Sequence, residues 1–338
     1  MKFNAIQFIG TQRSGSNLLR LMLDAHEIIS APHPPHLLKT FYPLLSYYGD
    51  LHQVEKRAVF VHDMCNWVDA NPVPWGGLRL NRDKIIESST TVIDIFSQIY
   101  EARMHHDGAG IWCCKSTFNI KYVDDLESEI RPFYIYLYRD GRDVTASFKK
   151  AIVGPKHTYH LAKKWSEEQK AARSFLDTIP ENRYITLAYE DILDRPEACI
   201  RELCQKLDII YKPEMLQFYT SNESRRTADS GEMWKNVLKP IMKNNTGKFQ
   251  TELLVDDIAL FERVAGLELD KLGYQRTFKE LVSCEDDISA YDEQNRQLQE
   301  EARNRASIQD IEKRAAQMLL LQQIHSRLGV DEPMANPV

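Results

Sequence analysis

The sequence predicts an α/β fold, a three-layer sandwich whose central parallel sheet carries helices on both faces and is interrupted by helical insertions. Three observations predict it. Short apolar runs of strand length alternate with segments of helical periodicity, the pattern of a parallel sheet buried on both sides. A glycine-bounded polar loop joins the first run to the first helical pattern. The 338 residues, 43% hydrophobic and 27% charged, suffice for a sizeable core and have the make-up of a soluble globular chain.

The first run, Ala5 to Ile9, is closed by Gly10 and followed by Thr11-Gln12-Arg13-Ser14-Gly15-Ser16. Leu18, Leu19, Leu21, Met22, Leu23 and Ala25 then mark a helix. The second run, Ile111 to Cys114, leads into Lys115, and the third, Phe133 to Tyr138, ends at Arg139-Asp140-Gly141-Arg142-Asp143. A fourth, Tyr184 to Leu187, precedes Tyr189-Glu190-Asp191 and a helix over Pro196 to Leu207. Ligands of open α/β sheets bind at the carboxyl ends of the strands, and each of these polar segments follows a strand.

Residues 32–108 read as an insertion that forms a lid or acceptor pocket: a turn, Pro32-His33-Pro34-Pro35-His36, then helical or irregular segments around Trp67 and Trp75. The α/β domain is expected over residues 1–280, with a C-terminal helical tail over 281–338. In the tail Ile308, Ile311, Ala315, Met318 and Leu319 recur at spacings of three and four, which predicts an amphipathic helix. Three roles stay open for it: packing on its own domain, pairing in a homodimer, or docking a partner. Heptads are too irregular to favour a coiled coil.

Lys and Arg total 43 against 49 Asp and Glu, a net charge of −6, so a nucleic-acid partner is not expected. No run approaches the roughly 18 apolar residues of a membrane span. The first strand begins within a few residues of Met1, leaving no room for a signal peptide, so a cytoplasmic location is expected. Cysteines at 65, 113, 114, 199, 204 and 284 show no C-x-x-C pair or nearby His spacing, so no metal site is expected, and Cys113 and Cys114 read as small hydrophobes.

Gly10 and Gly15 have the G-x-x-x-x-G spacing of a phosphate loop, whose backbone N–H groups face an anion at a helix N-terminus. A Walker loop would continue with Lys and Ser or Thr, whereas this one continues with Ser16 and Asn17 and carries Arg13 inside the loop. That disfavours Mg-ATP chemistry and leaves a P-loop kinase as a minor alternative. Arg139, at a strand end, and Ser147, two helical turns further on, are spaced to hold one phosphate between a guanidinium fork and a hydroxyl.

The segment Thr11 to Arg20 resembles the 5′-phosphosulfate loop of sulfotransferases, in the branch that writes Arg-Ser-Gly-Ser. Tyr138 to Ser147 resembles the same family's 3′-phosphate motif, with weaker likeness at Tyr189-Glu190-Asp191 and Lys239-Pro240. The resemblance covers roughly residues 3–275. It implies a P-loop-like fold, 3′-phosphoadenosine 5′-phosphosulfate (PAPS) as donor and adenosine 3′,5′-bisphosphate (PAP) as product. Arg13, Ser14, Gly15, Ser16 and Asn17 would hold the phosphosulfate and Arg139 and Ser147 the 3′-phosphate. Tyr189, Ser224 and Lys239 would complete the donor site by the same analogy. Lys115, in Lys115-Ser116-Thr117, resembles the Lys of the family's Lys-Thr-His segment. It would share with Arg13 the stabilisation of the sulfuryl and leaving groups.

The base departs from the family pattern. Thr117 stands where one branch has its catalytic His, and the Glu that other branches carry about twenty residues after the loop Arg is replaced by Pro32-His33. A neutral imidazole accepts a proton near pH 7. His33 is therefore the candidate base and His36 the runner-up. The acceptor is expected to be a hydroxyl of a small or lipid-like molecule. The missing Glu keeps open a protein that binds PAPS but no longer transfers.

Overall fold

The computed structural model describes residues 2–278, 287–305 and 307–330. Its sheet has five parallel strands, β1 (Ala5–Gly10), β2 (Ile29–Ser30), β3 (Ile111–Cys114), β4 (Phe133–Tyr138) and β5 (Tyr184–Ala188), in the order β2-β3-β1-β4-β5. Four of them are the predicted runs. The edge strand β2 was not expected, since two residues are too few to show any periodicity.

Alternation along each strand builds the three layers. Ile6 and Phe8, Ile111 and Cys113, and Phe133, Ile135 and Leu137 enter one core with the Ser16–Asp24 and Pro196–Leu207 helices. Ala5, Trp112 and Cys114 face the opposite core, as Ile9, Tyr134 and Tyr136 do beside the Thr158–Leu176 helix. Such two-sided burial explains why these strands read as continuous apolar runs rather than as alternations of apolar and polar residues. Gln7 is the polar exception inside β1. Its amide nitrogen donates to the Ser116 carbonyl at 3.1 Å and its oxygen accepts from Asn119 at 2.9 Å, which ties the turn after β3 to the central strand.

Chain direction across the sheet reverses at β1 and β4. These neighbours are followed by connections that leave to opposite sides, which opens a crevice at their carboxyl ends. Two glycines admit the loop into that crevice. A Cβ on Gly10 (φ 120°) would lie 2.4 Å from the Leu137 carbonyl oxygen, and one on Gly15 (φ 88°) would lie 2.2 Å from the Tyr189 ring.

The helical insertion follows β2. Its helices, among them Val54–Asp69 and Val92–His106, bury Phe41, Phe60, Trp67, Phe96 and Tyr100 against Trp112 of β3. This core also shapes the proline-rich turn. The indoles of Trp67 and Trp75 donate to the Pro35 and His33 carbonyls at 2.7 and 2.8 Å, and Asn71 donates to His33 O at 3.2 Å.

The boundary expected near residue 280 lies outside the described residues, as does Cys284. Beyond it, helix Ile288–Asn304 meets the domain through Asn295, which accepts from the Lys156 and His157 amides, and through Tyr291, stacked 4.6 Å from His157. The Ile308–Leu328 helix packs on the insertion, but not through the residues that announced it. Ile308, Ile311 and Leu319 are 75%, 53% and 56% exposed, and Ala315 and Met318 are exposed too. Docking falls to Leu321 and the fully buried Ile324, supported by Leu320, Leu328 and an Arg327–Asp63 ion pair. The surface of the insertion, not the helix's own spacing, selects the buried face.

Candidate active site

Every strand delivers one functional group to the same cleft: Arg13 follows β1, His33 follows β2, Lys115 follows β3, Arg139 follows β4 and Tyr189 follows β5. The cleft is about 490 Å³, the size of a small-ligand site. Among the described residues its wall carries eight lysines and arginines but only two carboxylates, Asp143 and Glu252, in a chain whose net charge is −6.

The Ser16–Asp24 helix starts at Gly15 without any side-chain cap, so its first N–H groups face the cleft unspent. The Ser14 hydroxyl beside it is buried without a partner among the described residues. Arg13 holds a positive φ of 69° and donates from Nε to the Ser147 hydroxyl at 3.0 Å, joining two motifs far apart in sequence. Burial and then Arg139 lower the pKa of Arg13.

Arg139 donates to the Arg13 carbonyl at 3.3 Å and to Asn245 O at 2.8 Å, pairs with Asp143 at 3.3 Å and lies 4.5 Å from the Tyr189 ring centre. Its Nε is buried and has no partner among the described residues. Asp143 accepts from the Gly247 and Phe249 amides at 2.9 Å, and Asn245 donates to the Tyr189 hydroxyl at 2.6 Å, so residues 245–249 close over the guanidinium.

Buried polar donors without partners are costly unless a ligand completes them. Arg139, which lines the electropositive cleft, has this character; Ser14 has it too but is not among the lining residues. The donor set is therefore suited to an anion with more than one acidic group.

Lys115 stands on the same wall. Burial, followed by Arg20 and Arg13, lowers its pKa to about 7. Arg20 is fully buried and forks onto Glu223 at 2.9 Å, Thr227 at 2.7 Å and the Ala31 carbonyl at 2.7 Å, while its Nε reaches Asn17 at 3.3 Å. It therefore positions both Asn17 and the end of β2. Sequence reasoning did not assign it a role, although a lone cation between Leu19 and Leu21 was the available signal.

His33 is buried with both ring nitrogens unpartnered among the described residues, 5.0 Å from the Trp234 ring and 6.5 Å from His36. His36, at φ 55°, shares Nδ1 with the Ser116 hydroxyl at 2.8 Å. Burial, and then the Lys115 charge, hold both imidazoles well below their ordinary pKa, so they are neutral at pH 7.

The remaining expected residues divide. Gly15, Ser16, Asn17, Tyr189 and an exposed Lys239 line the cleft. Ser224 is not among the lining residues. It lies buried in the Asn222–Asp229 helix, its backbone N–H capped by the Ser221 hydroxyl and its own hydroxyl donating to the Phe218 carbonyl at 2.7 Å. Sequence reasoning also passed over Lys39, Trp234, Asn245, Arg314 and Gln317. They come from elements whose placement only packing decides.

A family model described as the sulfotransferase family matches residues 6–213. Among solved structures, the chain is similar to the sulfotransferase domain from the curacin biosynthetic pathway, with 20% identity over 80% of this chain and 97% of that one and a TM-score of 0.56. It is similar as well to the sulfotransferase domain from the Synechococcus PCC 7002 olefin synthase, with 20% identity over 77% and 94% and a TM-score of 0.54. Identity at this level speaks for the P-loop-like fold. No protein of curated function matches the chain.

Proposed function

The chain belongs to the sulfotransferase family and is a sulfotransferase, and on that premise we propose that it takes PAPS as donor and sulfates a hydroxyl of a small or lipid-like acceptor. The observation that carries the donor reading is the buried Arg139 Nε, without a partner among the described residues, across the same cleft from the uncapped start of the Ser16–Asp24 helix, the two following the strands that flank the crevice. Residues 13–17 would hold the phosphosulfate, and Arg139 with Ser147 the 3′-phosphate. PAPS supplies an activated sulfuryl group for displacement by the acceptor oxygen, in line with the leaving phosphate.

The chain's own residues do the rest. Arg13 and Lys115 neutralise charge on the transferring and leaving oxygens. His33 takes the acceptor proton, since both of its nitrogens are uncommitted whereas His36 spends one on Ser116. Lys115 is among the charges that hold these imidazoles weakly basic. A polyanion beside it offsets that charge, so donor binding raises their proton affinity before the acceptor reacts.

Calorimetric titration with PAP, AMP and Mg-ATP tests the donor reading. PAP is expected to bind at micromolar Kd and AMP far more weakly. Arg13→Ala is expected to weaken PAP about 10- to 100-fold, the worth of a charge-assisted hydrogen bond, and to abolish transfer. Mg-ATP binding in preference to PAP would end the reading. For the base, His33→Ala is expected to lower kcat by about 10²- to 10⁴-fold with PAP affinity retained. A rate within threefold of wild type moves the role to His36. A homodimer through the outward row Ile308, Ile311 and Leu319 is part of the same proposal, with molar mass by light scattering as its check.

A further inference from the structure

No hydrogen bond among the described residues fixes the His33 ring, so its backbone sets where the imidazole stands. The His33 carbonyl accepts from Trp75 and Asn71, which ties the loop to the insertion. On the other side only Pro32 separates His33 from Ala31. A proline fixes its own φ and restricts the residue before it, so the placement of Ala31 carries through to His33.

Ala31 is fully buried just past the two-residue strand β2, where its backbone N–H and C=O need partners. Both partners are side chains of the Ser16–Asp24 helix. The Ala31 amide donates to Asp24 Oδ1 at 2.9 Å, and the Ala31 carbonyl accepts from Arg20 Nη1 at 2.7 Å. Arg20 and Asp24 stand one helical turn apart on the same face. The neighbouring Ser30 hydroxyl donates to Asp107 at 2.7 Å, and Asp107 pairs with Arg103 at 2.8 Å, which braces the strand end from the insertion.

The same helix begins at the phosphate loop. Its nine residues make a rod of about 12 Å, with Ser16 and Asn17 at one end and Asp24 at the other. Arg20, midway, reaches Asn17 from Nε at 3.3 Å and is itself held by Glu223 and Thr227 at 2.9 and 2.7 Å. The donor loop and the histidine loop are thus fastened to one rigid element. Asp24 is not among the residues that line the cleft, so its effect on the site passes through the Ala31 backbone. Burial, and then the Glu223 charge, push the Asp24 carboxyl up to about 7, so a neutral amide of the same shape is a mild substitution there.

We propose that Asp24, acting with Arg20, is a positioning residue for transfer: the two side chains clamp Ala31 to the helix that carries the phosphate loop, and this clamp sets the reach of His33 toward the reacting sulfuryl group. The proposal rests on the reading of PAPS as donor and His33 as base. It leaves the proton to His33 and the charge on the transferring group to Arg13 and Lys115.

Kinetics of the full chain with saturating PAPS and two probe acceptors, 2-naphthol and 1-dodecanol, test it. Asp24→Ala is expected to lower kcat about 10- to 100-fold, the scale of a misplacement of about 1 Å, with acceptor KM and PAP Kd within about threefold of wild type. Asp24→Asn keeps an acceptor for the Ala31 amide and is expected to restore kcat to within about threefold. In a His33→Ala background, Asp24→Ala is expected to cost less than about threefold more, because residues that act through one group are not additive. A wild-type rate in Asp24→Ala, no rescue by Asp24→Asn, a full multiplicative loss in the double variant, or loss of PAP binding together with transfer overturns the proposal. Where neither probe is turned over, the NMR signals of the His33 ring, assigned by their absence in His33→Ala, are the readout. They are expected to shift or broaden in Asp24→Ala and to match wild type in Asp24→Asn; signals that stay in place in Asp24→Ala overturn the proposal. Should the alanine variant not fold, Asp24→Ser, too short to reach the Ala31 amide, replaces it, and failure of both to fold makes Asp24 a folding residue and overturns the proposal too. Failure of PAP to bind the wild type overturns the donor reading, and a wild-type rate in His33→Ala overturns the base; either takes this proposal with it. A defective His33→Ala beside an unaffected Asp24→Ala overturns this proposal alone.

Discussion

Lys115 shows how single residues acquire function here from their neighbours. In sequence it is a lysine after a short apolar run. In the folded chain it stands near Arg20 and Arg13, and burial brings its pKa to about 7. Binding of an anionic donor raises that value, so donor affinity is fully present below pH 7 and falls as pH rises from about 7 toward the higher pKa of the complex. The pH profile of kcat/KM for the donor is therefore expected to decline above about pH 7, and Lys115→Arg to remove the decline over the range in which arginine stays charged. A profile flat to pH 9 in the wild type would show that Lys115 does not touch the donor. The place of the loop between the first strand and the first helix was legible from motif and spacing. Arg20 and Asn245 were not, since their value lies in partners up to two hundred residues away.

At the scale of elements, periodicity found the helices but not always their buried faces. The Pro196–Leu207 helix begins and ends at the residues the sequence marks, with proline in its first turn and Asp208 in the left-handed region just after it. The Ile308–Leu328 helix was also legible, yet Ile308, Ile311 and Leu319 face outward while Ile324 is fully buried. Truncating Ile324 to alanine is expected to weaken docking of this helix by about 2–5 kcal/mol, the range for a buried isoleucine. Hydrogen exchange along residues 308–328 would rise by orders of magnitude and acceptor KM would increase, while PAP affinity stays within about twofold. Unchanged acceptor KM alongside faster exchange would show that Gln317 and Met318, which line the cleft from this helix, do not touch the acceptor. The edge strand β2 is the opposite case. Nothing in two residues marks a strand, and pairing with β3 alone makes it one, yet it places His33.

Over the whole molecule, a negative chain concentrates positive charge in one crevice. Raising ionic strength from about 0.01 to about 0.15 M shortens the screening length from about 30 to about 8 Å. PAP association is expected to slow markedly over that range and its Kd to rise severalfold, with the melting temperature shifting by no more than a few degrees. Salt-independent PAP binding would mean that the cleft cations do not act together. The sequence by itself determined the parallel sheet, the strand–loop–helix unit at Gly10 to Asp24 and the family, because each depends on residues adjacent along the chain: apolar runs of strand length, a glycine spacing, a strand end followed by a helix. Tertiary structure alone decided which histidine is left without hydrogen-bond partners among the described residues, that Ser224 turns inward, and that Lys39 and Arg314 line the same cleft. Those outcomes depend on desolvation and on contacts between elements far apart in sequence, and a linear pattern of residue types encodes neither.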